Sequence, residues 1–191
     1  MPMTRSPLTT EYALLGYLYQ RPMYGYEIHQ MLTDPTGLGL VWHLKQSRVY
    51  SMLTKLEEGG FVKTTLSPHP EGNRPPRKIF ELTDLGREAF LNWVQSPVPR
   101  GRRLRLDFLA KLFFSQQVGG QTVNQLIERQ QQACTGWLEE QEQQRDDLAP
   151  NNNFDRLVHE FRISQTRAML AWLDTCRQTY SETAKGRNDA H

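Results

Sequence analysis

Between Gln46 and Leu82 the chain changes its hydrophobic period, and that change limits the fold more than any other feature. Val49, Met52, Leu53 and Leu56 recur at helical spacing, so one stripe of a helix from about Gln46 to Glu58 faces a core. Ser47 is placed to cap it. Gly59-Gly60 stops the helix, one glycine being free to take a left-handed conformation. Phe61 to Leu66 and Lys78 to Leu82 then read as short strands, the second alternating Ile79 and Glu81 against Phe80 and Leu82. The proline-rich run from Ser67 to Pro76 cannot be regular structure, so the two strands form a hairpin with a long loop.

The segments on either side complete an order. A helix is predicted from Thr9 to Tyr19, with Thr9 as N-cap, Glu11 in the first turn and Leu14, Leu15 and Leu18 on its apolar face. A second runs from about Gly25 to Leu32 and packs Tyr26 or Ile28 with Met31 and Leu32. Gly and Pro punctuate a loop from Asp34 to Gly39. Thr83 caps a fourth helix, Asp84 to about Gln95, carrying Leu85, Ala89, Phe90 and Trp93. Helix, helix, loop, helix, hairpin, helix is the order of a winged helix-turn-helix.

Ser96-Pro97-Val98-Pro99-Arg100-Gly101 is the expected boundary. Three amphipathic stretches follow. Leu104 to Gln117 shows Leu106, Leu109, Ala110 and Phe113 on one face, and Thr122 to about Leu148 shows Val123, Leu126, Gln130, Cys134 and Trp137. Phe154 to about Tyr180 has Leu157, Phe161, Ala168 and Trp172 beside Met169, Leu173 and Cys176 on an adjoining face. The expected chain is mainly α: a winged helix-turn-helix domain over residues 1–96, α/β with a short two-stranded wing, an antiparallel helical domain over 104–180, and a flexible tail over 181–191.

A helix of this kind fits the major groove, where exposed side chains can read base-edge donors and acceptors. With Val49, Met52, Leu53 and Leu56 inward, the outward residues are Gln46, Ser47, Arg48, Tyr50, Ser51 and Thr54, with Lys55 further along. All can hydrogen-bond, and Arg48 can make the bidentate contact to guanine. Arg74, Arg77 and Lys78 cluster in the hairpin with only Glu71 opposing them, which suits contact with phosphate. The charge distribution points the same way. Residues 1–103 hold 13 Lys/Arg against 9 Asp/Glu, and residues 104–191 hold 10 against 12. Polar helix faces are usually just solvated, so a protein-binding winged-helix adaptor without sequence-specific DNA binding is the alternative.

The motifs themselves resemble a known family. Leu14-Leu15-Gly16-Tyr17-Leu18 followed by Pro22-Met23-Tyr24-Gly25-Tyr26-Glu27-Ile28 resembles the opening of the PadR family of transcriptional regulators. Ser47 to Val62 resembles that family's recognition helix and its exit into the wing, and Arg77 to Arg87 resembles its second wing strand and following helix. The resemblance implies a homodimeric regulator, usually a repressor, bound to double-stranded DNA. DNA-contacting roles would fall on Ser47, Arg48, Tyr50, Ser51 and the wing, with Tyr24 and Gly25 near the DNA backbone. Ser47-Arg48 replaces the Gly-Thr common in the family, so base preference does not transfer. The C-terminal helices resemble the dimerising region of the longer-tailed members.

A helix with two apolar faces needs two partners, its own domain and a second subunit, which puts Leu157, Phe161, Met169, Trp172, Leu173 and Cys176 forward for dimerisation. Burial wholly within one chain is the competing reading. A small-molecule effector of unknown identity is a further expected partner. Trp93, Phe108, Trp137 and Trp172 are candidates to line its space, although aromatics at helical spacing are more often core, so no ligand site is assigned. Two cysteines and five scattered histidines give no disulfide framework or metal-ligand spacing, and no catalytic motif is present. No enzyme activity, cofactor or metal is expected. The chain shows neither a signal-peptide core nor an apolar run long enough for a membrane span, so the cytoplasm is the expected location.

Overall fold

The structure is a computed structural model and describes residues 7–68, 76–149 and 152–188. It divides into two compact units, and the division does not fall at the proline-rich boundary. The first joins the chain up to Val94 with Arg105–Phe114, and the second joins Gln95–Leu104 with the residues from Ser115 onward.

In the first unit, α1 (Thr9–Gln20) is preceded by Leu8 as N-cap, not by Thr9. Leu8 has no acceptor to offer, and Glu11 caps from inside by accepting the Leu8 backbone N–H at 2.7 Å. The same device recurs in α2 (Gly25–Thr33), where the Tyr24 N–H donates to Glu27 Oε2 at 2.7 Å. Such an N3 carboxylate satisfies a donor that the helix leaves open. Tyr17 of α1 donates its hydroxyl to the Met31 carbonyl at 3.0 Å, tying α1 to α2. In α2, Ile28 and Leu32 are the inward residues, while Tyr26 turns out to solvent.

α3 (Gln46–Glu58) has the expected stripe of Val49, Met52, Leu53 and Leu56 fully inside. Lys45 is its N-cap, so Ser47 lies within the first turn and does not cap. Gly60, with φ +74°, supplies the left-handed exit. β2 (Val62–Ser67) and β3 (Arg77–Leu82) form the hairpin. A third strand, β1 (Met23–Tyr24), pairs with β3 through Met23↔Phe80 and Tyr24↔Ile79, so the sheet has the order β1-β3-β2. Two residues carry no period, which is why the sequence shows only two strands. The Thr83 hydroxyl accepts the Gly86 N–H at 3.1 Å and caps α4 (Asp84–Gln95). Phe90, Trp93 and Val94 are its buried residues, and Leu85 is exposed.

Arg105–Phe114 completes the core of this unit. A π-helical turn, Leu104–Phe108, leads into α5 (Leu109–Val118). The wider turn shifts the phase of a helix, so the inward residues are Phe108, Ala110, Leu112 and Phe114, and Leu106 is exposed. Phe114 meets Tyr17, Phe90 and Phe113 edge-on, at centroid distances of 5.2, 5.8 and 5.1 Å. Gly16 makes room for it, since a Cβ there would lie 2.6 Å from the ring.

The second unit is built on α6 (Gly120–Asp146) and α7 (Asn153–Asn188), the latter running beyond the expected end near Tyr180. They pair as an antiparallel hairpin: Gln131 bonds Asp174 at 2.8 Å, Thr166 bonds Gln141 at 3.1 Å and Arg145 reaches Glu160 at 3.4 Å. Val123, Leu126, Ile127 and Cys134 of α6 and Ile163, Leu173 and Cys176 of α7 are buried. Gln130 is wholly buried and holds the connecting segment, accepting the Val98 N–H at 2.6 Å and donating to the Val98 carbonyl at 3.4 Å. Among the described residues, no helix is long and apolar enough to cross a membrane.

Candidate nucleic-acid interface

The burial of one stripe of α3 leaves the opposite row outside. Gln46, Ser47, Arg48, Tyr50, Ser51, Thr54 and Lys55 are all exposed. No side chain caps the helix, so its first-turn N–H groups keep their partial positive charge on the surface. Thr54 donates its hydroxyl to the Tyr50 carbonyl at 3.1 Å, which leaves its oxygen as an acceptor.

Tyr50 is fixed from below. Its ring covers Gly25, where a Cβ would come within 2.7 Å of Cε1. Gly25 is therefore buried support for Tyr50. Tyr24 is half-buried and its hydroxyl lies 3.4 Å from Ser67 Oγ. Its ring stacks on Tyr26, with centroids 5.7 Å apart and planes 17° from parallel. The Arg77 guanidinium stands 6.0 Å from the Tyr26 centroid, within the range of a cation–π contact. Tyr26 thus joins Tyr24, Tyr50 and Arg77 on the surface and was missed because helical spacing assigned it to the core. Lys45, also exposed, was missed because it precedes the periodic stripe.

The start of α2 is held electrostatically. Burial pushes the Glu27 carboxyl up, but the Tyr24 N–H and the Arg21 guanidinium, 3.0 Å away, outweigh it and hold the group below the usual carboxylate range. Glu57 at the end of α3 does the same for the wing. It accepts the Thr64 hydroxyl and pairs with Lys78 at 3.3 Å, and these contacts hold its carboxyl low against the opposing effect of burial. Lys78 is therefore paired within the unit, in a solvent-exposed contact. Arg74 lies outside the described residues.

Residues 14–92 match the profile described as the transcriptional regulator PadR-like family, and residues 104–181 match that described as virulence activator alpha C-term. Over residues 14–92 the chain is similar to the PadR-like family. The chain is 29% identical over 124 residues to the negative transcriptional regulator PadR of Bacillus subtilis, a match covering 64% of the chain and 65% of that protein. It is 26% identical over 88 residues to a probable transcriptional regulator of Mycobacterium tuberculosis, covering 46% and 44%. The chain thus spans less than two thirds of the length of these curated relatives. Among solved structures it is similar to B. subtilis PadR in complex with operator DNA, at 22% identity and a TM-score of 0.46, over 91% of this chain and 99% of that one.

The residues put forward for dimerisation separate into two sets. Leu157, Phe161 and Trp172 are 67%, 62% and 37% exposed and, with Phe154, form an outward stripe on α7. Leu173 and Cys176 are buried against α6 and Met169 is half-buried, so the first two are committed to packing within the chain. The four aromatics considered for an effector are divided between the two units. Trp93 and Phe108 belong to the core of the first unit, Trp137 lines a groove in the second, and Trp172 is exposed.

Proposed function

We propose that this chain is a PadR-like, sequence-specific DNA-binding repressor that acts as a homodimer and responds to a small-molecule effector. The observation that carries the proposal is the exposed polar row of α3, from Gln46 to Lys55, on a helix locked by its opposite stripe. Such a helix can enter the major groove, with Arg48 suited to a bidentate contact to guanine and Tyr50 held at a fixed height by Gly25. The open N-terminus of α3, with Lys45, Tyr26 and Arg77 nearby, suits phosphate contacts. The name of the B. subtilis relative, a negative transcriptional regulator, supports repression. The outward apolar stripe of α7 supports a second copy, because a helix in water seldom shows three large aromatics and a leucine on one exposed face. Two-fold pairing would present two copies of α3 to half-sites one or more helical turns apart.

The test is fluorescence anisotropy of the full chain on its own promoter DNA and on shuffled DNA, across a salt series. Arg48→Ala should weaken promoter binding by about 10- to 100-fold, the loss of one bidentate base contact, and change binding to shuffled DNA far less. Equal affinity for both DNAs, or an unchanged Arg48→Ala variant, would refute DNA readout. Sedimentation of Leu157→Glu/Phe161→Glu should show a monomer; an intact dimer would exclude the α7 stripe as its interface.

A further inference from the structure

Three consecutive residues at the start of α2 touch three different elements of the first unit. Gly25 lies under the Tyr50 ring of α3, where a Cβ would meet it at 2.7 Å. The Tyr24 hydroxyl lies 3.4 Å from Ser67 Oγ, at the end of β2. The Tyr26 ring faces the Arg77 guanidinium, at the start of β3, 6.0 Å from the ring centroid. Ser67 and Arg77 are register partners and form the last rung of the hairpin among the described residues. The two tyrosines therefore grip one rung of the wing from both of its strands, and they stack on each other at 5.7 Å. The turn that carries them is itself fixed. Tyr24 pairs with Ile79 of β3, its N–H donates to Glu27, and Arg21 holds Glu27 at 3.0 Å. Yet the Tyr26 side is open to solvent, with 38% of the residue exposed, so its ring does not serve the core.

We infer that Tyr26 is a positioning residue for DNA binding: it holds the Arg77 guanidinium ready for a phosphodiester oxygen of the backbone and does not itself bond the DNA. This deepens the DNA-binding reading above and rests on it. An arginine that docks on phosphate gives up the freedom of a long side chain, at about 2- to 10-fold in affinity. A ring against the guanidinium takes up part of that loss before DNA arrives. A guanidinium on a ring face also presents its N–H fork edgewise, and that edge is what matches a phosphate. The stack on Tyr24 limits where the Tyr26 ring can turn. Because the same three-residue turn supports Tyr50, the spacing between this backbone contact and the reading row of α3 is set by one short link. Phosphate contacts carry no sequence information. The effect of Tyr26 therefore falls on all DNA alike, while base preference stays with α3.

The test is a double-mutant cycle on the full chain, read by anisotropy on promoter and on shuffled DNA over a salt series. Arg77→Gln should weaken binding to both DNAs by about tenfold and lower the slope of log affinity against log salt by about 0.9, one phosphate contact. Tyr26→Leu keeps apolar bulk without the π face and should weaken both by about 2- to 10-fold. In the Arg77→Gln background the same change should alter neither by more than about twofold. Tyr26→Phe keeps the ring without the hydroxyl and should restore the affinity that leucine loses. With no DNA present, the NMR signal of the Arg77 Nε–H should shift in Tyr26→Leu, where the ring current is gone, and stay in place in Tyr26→Phe. A phenylalanine variant as weak as the leucine one would make the hydroxyl a direct DNA contact and overturn the assignment. Additive losses in the cycle, an unweakened Tyr26→Leu, or an unmoved Arg77 signal in it would overturn it too. Equal parent affinity for promoter and shuffled DNA, with the coupling intact on both, would count only against the sequence-specific repressor. A kept promoter preference with an additive cycle would count only against Tyr26.

Discussion

Replacing Gly16 with alanine should destabilise the first unit by about 2 kcal/mol, although alanine is the better helix former. A methyl on Gly16 would fall 2.6 Å from Cδ1 and Cε1 of Phe114 and 2.7 Å from its Cζ. Carbon atoms rest at about 3.5–4.0 Å, so the ring must retreat by about 1 Å. It has little room, being fully buried with Tyr17, Phe90 and Phe113 against its edges and faces. Overpacking costs about 1–3 kcal/mol, and overlap with three atoms of a confined ring belongs at the upper end. The helix preference of alanine returns about 1 kcal/mol. Gly136, in α6, has nothing within 4 Å of its Cβ position, so Gly136→Ala should gain up to about 1 kcal/mol. Hydrogen exchange of the α1 and α6 amides reads the two units separately. A Phe114→Leu partner should relieve part of the Gly16→Ala cost and give a non-additive double-mutant cycle. The reasoning fails if Gly16→Ala protects α1 as Gly136→Ala protects α6, or if the cycle is additive.

A chain ending near Pro99 should fail to fold cooperatively, whereas one ending after Val118 should retain the first unit's helicity by circular dichroism. The shorter chain forfeits the burial of Phe108 and Phe114, up to about 3 kcal/mol each, against a total stability of roughly 5–15 kcal/mol. A sharp thermal transition in the shorter chain would count against a core completed by Arg105–Phe114. Glu57 has a folded-state carboxyl held below its usual value, so its stabilisation is present above the unfolded value and is lost as pH falls through the folded one. Glu57→Gln should therefore be less stable than the parent near neutrality and converge with it in acid; a gap that stays constant down to about pH 2 would refute the assignment. Burial pushes the Cys176 thiol up to about 11 and raises Cys134 despite its hydrogen bond with Gln130. Iodoacetamide at pH 8 should leave both unlabelled in the folded chain and label both after unfolding; rapid native labelling of either would contradict that burial.

The parts of the fold legible in sequence are those that repeat. α3 was readable because four apolar residues mark one face over about two turns, and that stripe also fixed which residues point outward. Gly60 and Thr83 were readable because a left-handed exit and a hydroxyl cap each favour few residue types. β1 is too short for a pattern, and its pairing with β3 joins residues more than fifty positions apart. The π-helical turn at Leu104–Phe108 broke the phase from which Leu106 had been placed inward. The pairing of Lys78 with Glu57 spans 21 positions, so no local pattern in the sequence announces it. For α7, sequence showed two apolar faces, but only the register with α6 separates Leu173 and Cys176 from Leu157, Phe161 and Trp172.

Surface connections normally accept insertions and deletions, and a run such as Ser96–Gly101 would be a natural place for them. The Gln130 amide alters that expectation. It meets both the N–H and the carbonyl of a single residue, Val98, from a fully buried position. One residue added between Pro97 and Val98 would bring a different peptide group opposite the amide or leave its donor and acceptor unanswered in the interior. Length changes should therefore be tolerated poorly at this short connection.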